Sequence, residues 1–191
     1  ATVTHGTWTI TVPATDVMQL DNTLYTVTVT GSDSAGNPGS TQANVLVDTH
    51  LPQVSIDAFA TDNLVNHDEI TVDQLLTGRV VGAAAGDALT ITLGDKTYAA
   101  TVGKDLTWQA TVPAADLAAL GDGKIAIEVS VTNAHGNTGD SSLGIDINAQ
   151  LPGLRIDTVS GDDVINALER QQDLTVTGSS EHLDAGTIVS V

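Results

Sequence analysis

The sequence predicts an all-β fold made of tandem immunoglobulin-like β-sandwich modules joined by short, proline-containing linkers. Three observations predict it. Short runs of residues alternate between apolar and polar, which is typical of half-buried strands. About seven such runs, separated by turn signals, fall within roughly a hundred residues, as in an immunoglobulin-like sandwich. The stretch around Leu51-Pro52 returns around Leu151-Pro152, and a recurring stretch of this kind indicates tandem repeats.

The two prolines divide the chain into three predicted parts. Residues 1–49 are the C-terminal part of one module, residues 50–149 are a complete module, and residues 150–191 are the N-terminal part of the next. The repeat keeps one register without a gap, because Trp8 matches Trp108 and Gly78 matches Gly178. Since proline interrupts a β-ladder and restricts the backbone, we expect both linkers to be short and stiff.

In the first part, residues 7–12 and 24–30 alternate with period two and are predicted strands. Residues 13–20 form a short turn between them. Residues 31–39 are rich in Gly, Ser, Asp, Asn and Pro, which predicts a loop. Residues 44–47 form the strand that leads into the first linker.

The complete module is predicted to hold the sandwich and one helix. Pro113 begins that helix and Gly121 ends it, because proline suits the first helical turn and glycine the position after the last. Gly94-Asp95-Lys96 and residues 102–105 are predicted hairpin turns. The predicted strands are residues 54–57, 71–81, 88–93, 97–102, 106–112, 125–132 and 143–148.

Charge excludes several classes of partner. The chain has 24 Asp and Glu against 6 Lys and Arg, for a formal net charge of −18. Nucleic acids and anionic membrane surfaces are therefore not expected partners, because both require a basic surface. No apolar run is long enough to insert into a membrane, and no signal peptide opens the sequence, so we expect an excerpt of a longer protein. With no cysteine, metal ions are the expected substitute for disulfides.

Acidic and amide side chains gather near the linkers and predict Ca²⁺ as the cofactor. Calcium prefers about six to eight oxygen ligands from carboxylates, amides and backbone carbonyls in flexible loops. An alternative is helix capping, because Asn66-x-x-Glu69 and Asn166-x-x-Glu169 both fit a capping box, and the two roles are compatible. The candidate ligands are Asp33, Asp48, Asp57, Asp62, Asn66, Glu69, Asn133, Asn148, Asp157, Asp162, Asp163, Asn166 and Glu169.

Sandwich topology predicts where two of these candidates lie. The loop between the last two strands of an immunoglobulin-like module lies at its N-terminal pole. Asn133 should therefore face the linker at Asp48, and Asp33 should face a preceding module.

Enzymatic signals are weak. None of the five histidines, at positions 5, 50, 67, 135 and 182, has a histidine at its repeat-equivalent position. We expect these side chains to lie on the surface rather than to form a catalytic or zinc site. Neither a nucleophile elbow nor a phosphate-binding loop is present. Trp8 and Trp108 are expected in the core rather than on a carbohydrate-stacking surface.

Three stretches carry a family resemblance: residues 107–120 (TWQATVPAADLAAL), 133–137 (NAHGN) and 162–169 (DDVINALE). They resemble the bacterial immunoglobulin-like repeats of giant, type I-secreted surface adhesins, over essentially the whole chain. The resemblance implies a secreted, calcium-stiffened stalk at the bacterial cell surface that serves attachment and biofilm formation. The family linker resembles Asp-Thr-Thr-Ala-Pro, whereas this chain has residues 48–52 (DTHLP) and 148–152 (NAQLP). A weaker likeness to cadherins reflects shared architecture.

Two functions are open at this point. The first is a structural spacer whose partners are the neighbouring modules of the same chain. The second is a binding module whose loops recognise a host glycan or protein, although such surfaces usually cluster aromatic residues or Arg. The incomplete first and last parts expose strand edges. We therefore expect either head-to-tail self-association by strand complementation or completion of both parts within a longer chain.

Overall fold

The computed structural model describes all 191 residues and confirms the all-β class, with 42% of residues in strands and 10% in helices. Two short α-helices, α1 (Ala14–Val17) and α2 (Ala114–Leu120), accompany 3₁₀ turns at Glu69–Thr71, Val159–Gly161 and Glu169–Gln171. The strands are β1 (Leu24–Ser32), β2 (Pro38–Leu46), β3 (Gln53–Ile56), β4 (Leu64–Val65), β5 (Gln74–Val81), β6 (Ala88–Leu93), β7 (Lys96–Thr101), β8 (Thr107–Val112), β9 (Gly123–Thr132), β10 (Thr138–Ile147), β11 (Gly153–Ile156) and β12 (Gly178–Glu181).

Strands β3 to β10 form a two-sheet sandwich. One sheet has the order β4-β10-β9-β6-β7 and the other has the order β3-β5-β8. Neighbouring strands are antiparallel except β4, which pairs with the end of β10 in parallel. The chain crosses between the sheets repeatedly, so strands that are distant in sequence lie side by side, as in the immunoglobulin fold. The predicted immunoglobulin-like sandwich is thus confirmed.

The core lies between these two sheets. Seventeen buried apolar residues form one cluster, and its members run from Phe59 to Ile147. Trp108 is 2% exposed, and its indole N–H donates a hydrogen bond of 3.2 Å to the carbonyl of Ser55. A side chain at Gly78 would lie 2.7 Å from the Trp108 ring, so glycine is needed where the indole crosses β5. Trp108 is therefore a core residue, as predicted.

The first 49 residues contain one hairpin, in which β1 pairs with β2 from Leu24↔Leu46 to Ser32↔Pro38. The predicted loop at residues 31–39 is shorter than expected, because both strands extend into it. The predicted strand at residues 7–12 is wrong. This segment makes only the isolated bridge Thr4↔Thr7, and Trp8 is 49% exposed. Alternation alone does not form a strand when no neighbouring strand supplies hydrogen bonds.

The last 42 residues repeat the start of the sandwich. Strand β11 pairs with β12 so that Ile156 faces Gly178, and the pairing of β3 with β5 likewise places Ile56 opposite Gly78. The three-part division of the chain stays a prediction. The longest helix, α2, has seven residues, and none of the helices has the length and apolar character needed to cross a membrane.

Candidate metal ligands and linker contacts

The sandwich has two poles that meet different linkers. At the N-terminal pole, the loop between β9 and β10 (residues 133–137) lies beside the first linker, and the buried Gly139 packs against Pro52. At the C-terminal pole, β10 ends and continues into the second linker. The Glu69–Thr71 turn belongs to this second pole, because Nδ1 of His67 lies 3.0 Å from the carbonyl oxygen of Ala149.

Asp48 is the candidate ligand at the N-terminal pole. Its Oδ2 lies 2.6 Å from Nδ1 of His135, and its Oδ1 lies 3.0 Å from Nδ1 of His50. Oδ1 also accepts a hydrogen bond from the His50 backbone N–H. The pKa of the Asp48 carboxyl is lowered, mainly by this backbone bond and next by the contact with His135. The Asn137 amide donates to the Asp48 carbonyl at 3.1 Å, so the β9–β10 loop faces the linker as expected.

Asn133 and Asp33 each close their own loop. Oδ1 of Asn133 accepts hydrogen bonds from the backbone N–H groups two and four residues later, at 3.0 and 2.9 Å. Oδ1 of Asp33 accepts the equivalent pair at 2.9 and 2.8 Å. The Asn37 side-chain amide donates to Oδ2 of Asp33 at 2.8 Å, and this bond is the main cause that lowers the Asp33 pKa. These two candidates therefore form Asx turns rather than extending toward a neighbour.

Asp57 and Asp62 lie where the chain crosses from β3 to β4. The Thr77 hydroxyl donates to Oδ2 of Asp57 at 2.7 Å, and Oδ1 of Asp62 accepts from the Leu64 N–H at 3.0 Å. Strand β3 begins at the N-terminal pole, where its first residue pairs with Val81 of β5. Thr77, the partner of Asp57, lies four residues along β5 from Val81. Asp57 is therefore about 13 Å from the N-terminal pole, at about 3.3 Å per strand residue.

The candidates of the last part repeat these local contacts. Asp157 accepts a hydrogen bond from the Thr177 hydroxyl at 3.0 Å. Asp162 accepts from the Val164 N–H at 3.0 Å, and Asp163 accepts from the Val159 N–H at 2.8 Å. Each carboxylate thus holds the backbone or a hydroxyl of its own segment.

Asn66 and Glu69 form the capping box that the alternative interpretation predicts. The Glu69 carboxylate accepts from the Asn66 N–H at 3.0 Å, and Oδ1 of Asn66 accepts from the Glu69 N–H at 3.1 Å. Asn166 and Glu169 form the same reciprocal pair at 2.9 and 3.1 Å. Asn148 lies nearby, because its N–H donates to the Val65 carbonyl at 3.0 Å.

The recurring acidic stretch therefore runs from one pole of the sandwich to the other. No three or more His, Cys, Asp or Glu side chains form a group that could hold a metal ion. Both carboxylate oxygens of Asp33 and of Asp48 accept hydrogen bonds, whereas Asp57, Asp62 and Glu69 each keep one oxygen without a hydrogen bond. A hard cation therefore meets one oxygen without a hydrogen bond at each of the latter three, whereas at the former two it competes with existing hydrogen bonds. Metal ligation stays a prediction for the whole set.

Sequence reasoning missed the residues that hold the linkers. Oδ1 of Asn22 accepts hydrogen bonds from the N–H and the hydroxyl of Thr49, at 2.7 and 3.0 Å. Oδ1 of Asp122 accepts from the Ala149 N–H at 3.0 Å. The repeat register matches Asn22 with Asp122 and Thr49 with Ala149. This correspondence is the sequence signal from which the two linker contacts could be predicted. His50 and His135 carried no such signal, because neither recurs.

Comparison with known proteins gives structural neighbours only. The chain matches no family model, and no curated protein matches it significantly. A Ca²⁺-stabilised adhesin that helps an Antarctic bacterium bind ice is 29% identical over 83% of this chain and 40% of its own, with a TM-score of 0.43. A 1.5-MDa bacterial ice-binding adhesin is 22% identical over 91% and 57%, with a TM-score of 0.48.

A bacterial immunoglobulin-like domain from the M. primoryensis ice-binding adhesin is 26% identical over 55% of this chain and 100% of its own, with a TM-score of 0.40. The neighbours are thus bacterial immunoglobulin-like domains and repeats of large adhesins. This chain spans 40% and 57% of the length of the first two neighbours.

Proposed function

We propose that this chain is a non-enzymatic spacer: an extender segment of a secreted bacterial surface adhesin that serves attachment and biofilm formation. The observation that carries the proposal is the repetition of linker contacts. Asn22 binds the backbone of Thr49 and Asp122 binds that of Ala149. Each linker is therefore held by the same kind of contact to the unit before it. Units joined by repeated contacts of this kind stack one after another along one axis. The three-part division and export by a type I system belong to the proposal, which carries over the role of the adhesin neighbours.

The chemistry of one groove on the sandwich supports a spacer over a glycan-binding module. A shallow groove of about 510 Å³ lies on the outer face of β6, β9 and β10. Its lining has no aromatic ring, cation or histidine and consists of Thr90, Thr92, Glu128, Val129, Ser130, Asp140, Ser141 and Ser142. Aromatic and Arg anchors are what binding surfaces usually provide.

Calcium is proposed as the ion that stiffens the joint at the C-terminal pole. The net charge of −18 favours divalent counterions, because crowded carboxylates repel one another. Glu69 and Asp122 bring carboxylate oxygens to that pole, and the backbone of Asn148 lies there at the start of the second linker. When bound, the ion would neutralise these carboxylates and link them.

Neighbouring repeat units are the proposed partners, either in one chain or in a second copy. In the sandwich, Trp108 packs over Gly78 and Ser55. The equivalent tryptophan of the first part, Trp8, is 49% exposed. In the last part, Gly178 lies against the Arg155 backbone in the way that Gly78 lies against the Ser55 backbone. The first and last parts therefore have complementary surfaces.

Small-angle scattering together with a glycan array tests the spacer function. Three units end to end, each about 30 Å long at about 3.3 Å per strand residue, form a rod with a radius of gyration of about 27 Å. A compact globule of this length has a radius of gyration of about 16 Å. We expect the larger value in calcium and no reproducible glycan binding. A value near 16 Å, or specific glycan binding, contradicts the proposal.

A further inference from the structure

The first linker is held from both sides by adjacent residues. Thr49 is bound to the upstream unit, because its N–H and hydroxyl both donate to Oδ1 of Asn22 at 2.7 and 3.0 Å. Asp48 is bound to the downstream sandwich, where it meets His135 at 2.6 Å and accepts from Asn137 at 3.1 Å. Rotation of one unit against the other would break one of these sets of bonds.

Packing fixes the end of the same linker. Pro52 and Gly139 are both buried. A side chain at Gly139 would overlap the Pro52 carbonyl, with the carbonyl carbon 2.8 Å away and Cγ of Pro52 at 3.5 Å. The linker therefore enters β3 directly against β10, and its proline ring restricts the backbone at this point.

The Asp48 carboxylate is occupied by imidazoles. Oδ1 faces Nδ1 of His50 and Oδ2 faces Nδ1 of His135, and the Asp48 side chain is 22% exposed. A calcium ion needs the lone pairs of carboxylate oxygens. A calcium ion bound through both oxygens would therefore compete with both rings for Asp48.

We infer that the first joint is fixed by a direct clasp, in which Asn22 holds Thr49 while His135 and Asn137 hold Asp48, and that its rigidity needs no divalent cation. The inference rests on the proposed spacer function and assigns a positioning role to His135. The two joints then differ in mechanism, with protein contacts at the first and the proposed calcium at the second.

The second linker shares the upstream half of this clasp and differs from the first at two linker positions. Asp122 and His67 hold Ala149 from the upstream side, as Asn22 holds Thr49. Asn148 stands in place of Asp48, however, so this linker has no carboxylate at that position. Gln150 stands in place of His50. The carboxylate that the two imidazoles contact, and one of those imidazoles, are therefore absent from the second linker.

Pulsed EPR distance measurement on the full chain tests the clasp. The chain has no cysteine, so Thr30→Cys and Thr90→Cys can carry spin labels at exposed positions in the two units. We expect one narrow distance peak in millimolar calcium and the same peak in excess EGTA. His135→Ala should lose the narrow peak under both conditions, and Asn22→Ala, which opens the other side of the clasp, should do the same.

His182→Ala is the matched control, because this exposed histidine lies in the last part of the chain; its distance peak should not change. A peak that is narrow only in calcium and is unaffected by His135→Ala overturns the clasp. Circular dichroism melts of both clasp variants should match the parent chain, since these side chains lie outside the core. Glycan binding by the chain would refute the spacer function and would leave this distance result unchanged, so the two failures are distinguishable.

Discussion

Gly78 should be highly sensitive to substitution, because it lies against the core tryptophan of the sandwich. A Cβ at this position would overlap the Ser55 carbonyl and lie 2.7 Å from two atoms of the Trp108 ring. Neither group can move freely, because the Trp108 indole N–H is bonded to that same carbonyl and the ring is 2% exposed. Gly78→Ala therefore has to displace β3 or the indole.

The expected cost follows from these contacts. Overpacking a well-packed core costs about 1–3 kcal/mol, and weakening the Trp108–Ser55 hydrogen bond costs about 1 kcal/mol. A total of about 2–4 kcal/mol lowers the Tm of a domain of this size by roughly 8–32 °C, at about 4–8 °C per kcal/mol. The matched control is Gly144→Ala in β10, where the new methyl group meets no atom within 4 Å and the Tm should be nearly unchanged.

Thermal unfolding followed by Trp fluorescence is the assay. A Trp8→Phe background leaves Trp108 as the only tryptophan, because the chain has two. Emission then reports the sandwich core alone. If Gly78→Ala and Gly144→Ala melt within about 2 °C of each other, well below the shift expected for overpacking, the packing argument is wrong.

Three further predictions follow from the contacts of the sandwich and its ends. Burial and the 2.9 Å hydrogen bond to Asp116 raise the pKa of Tyr98 to about 12 from 10.0. The stability that protonated Tyr98 contributes is therefore complete below pH 10 and is lost as pH rises through about 12. Tyr98→Phe should lower the stability by about 1 kcal/mol and should remove the pH-dependent fall in Tm between pH 9 and 12. Millimolar calcium on a site with a Kd of about ten micromolar stabilises the fold by about 2.7 kcal/mol, so melts in chelator should show a lower midpoint, and equal midpoints would refute calcium binding. The exposed Trp8 should mediate association in light scattering, which Trp8→Ser should abolish; a parent chain that stays monomeric at high concentration would contradict this.

Much of the sandwich could be predicted because its local signals agree with its packing. The alternation in β6 and β9 places their buried residues on one face. Helix α2 starts after Pro113 and ends before Gly121, whose φ of 71° suits glycine. The alternation at residues 7–12 is as regular, yet it forms no strand because pairing is a tertiary property. Strand β10 shows the reverse case, since its first residues lack apolar alternation and are held by their pairing with β9.

The candidate site was less predictable because closeness in sequence does not imply closeness in space. The acids after the first linker follow one another within about a dozen residues, but this segment crosses from one sheet to the other. Asp57 therefore lies beside β5, whereas Glu69 lies near the second linker. Asp48 instead meets His135, which is 87 residues away in sequence. No periodic pattern links these two positions.

The path of the chain through the sandwich suits a segment that carries tension. Pulling on the two linkers draws Pro52 toward one pole and Ala149 toward the other. The first linker leads into β3 and then into β4, and β10 leads directly into the second linker. Strands β4 and β10 pair in parallel. The Asp146 N–H binds the Asn63 carbonyl at 2.9 Å, and the Asn148 N–H binds the Val65 carbonyl at 3.0 Å. Tension then loads these bonds together in shear rather than one after another, so the short β4 strand resists opening at the point where the second linker leaves the sandwich.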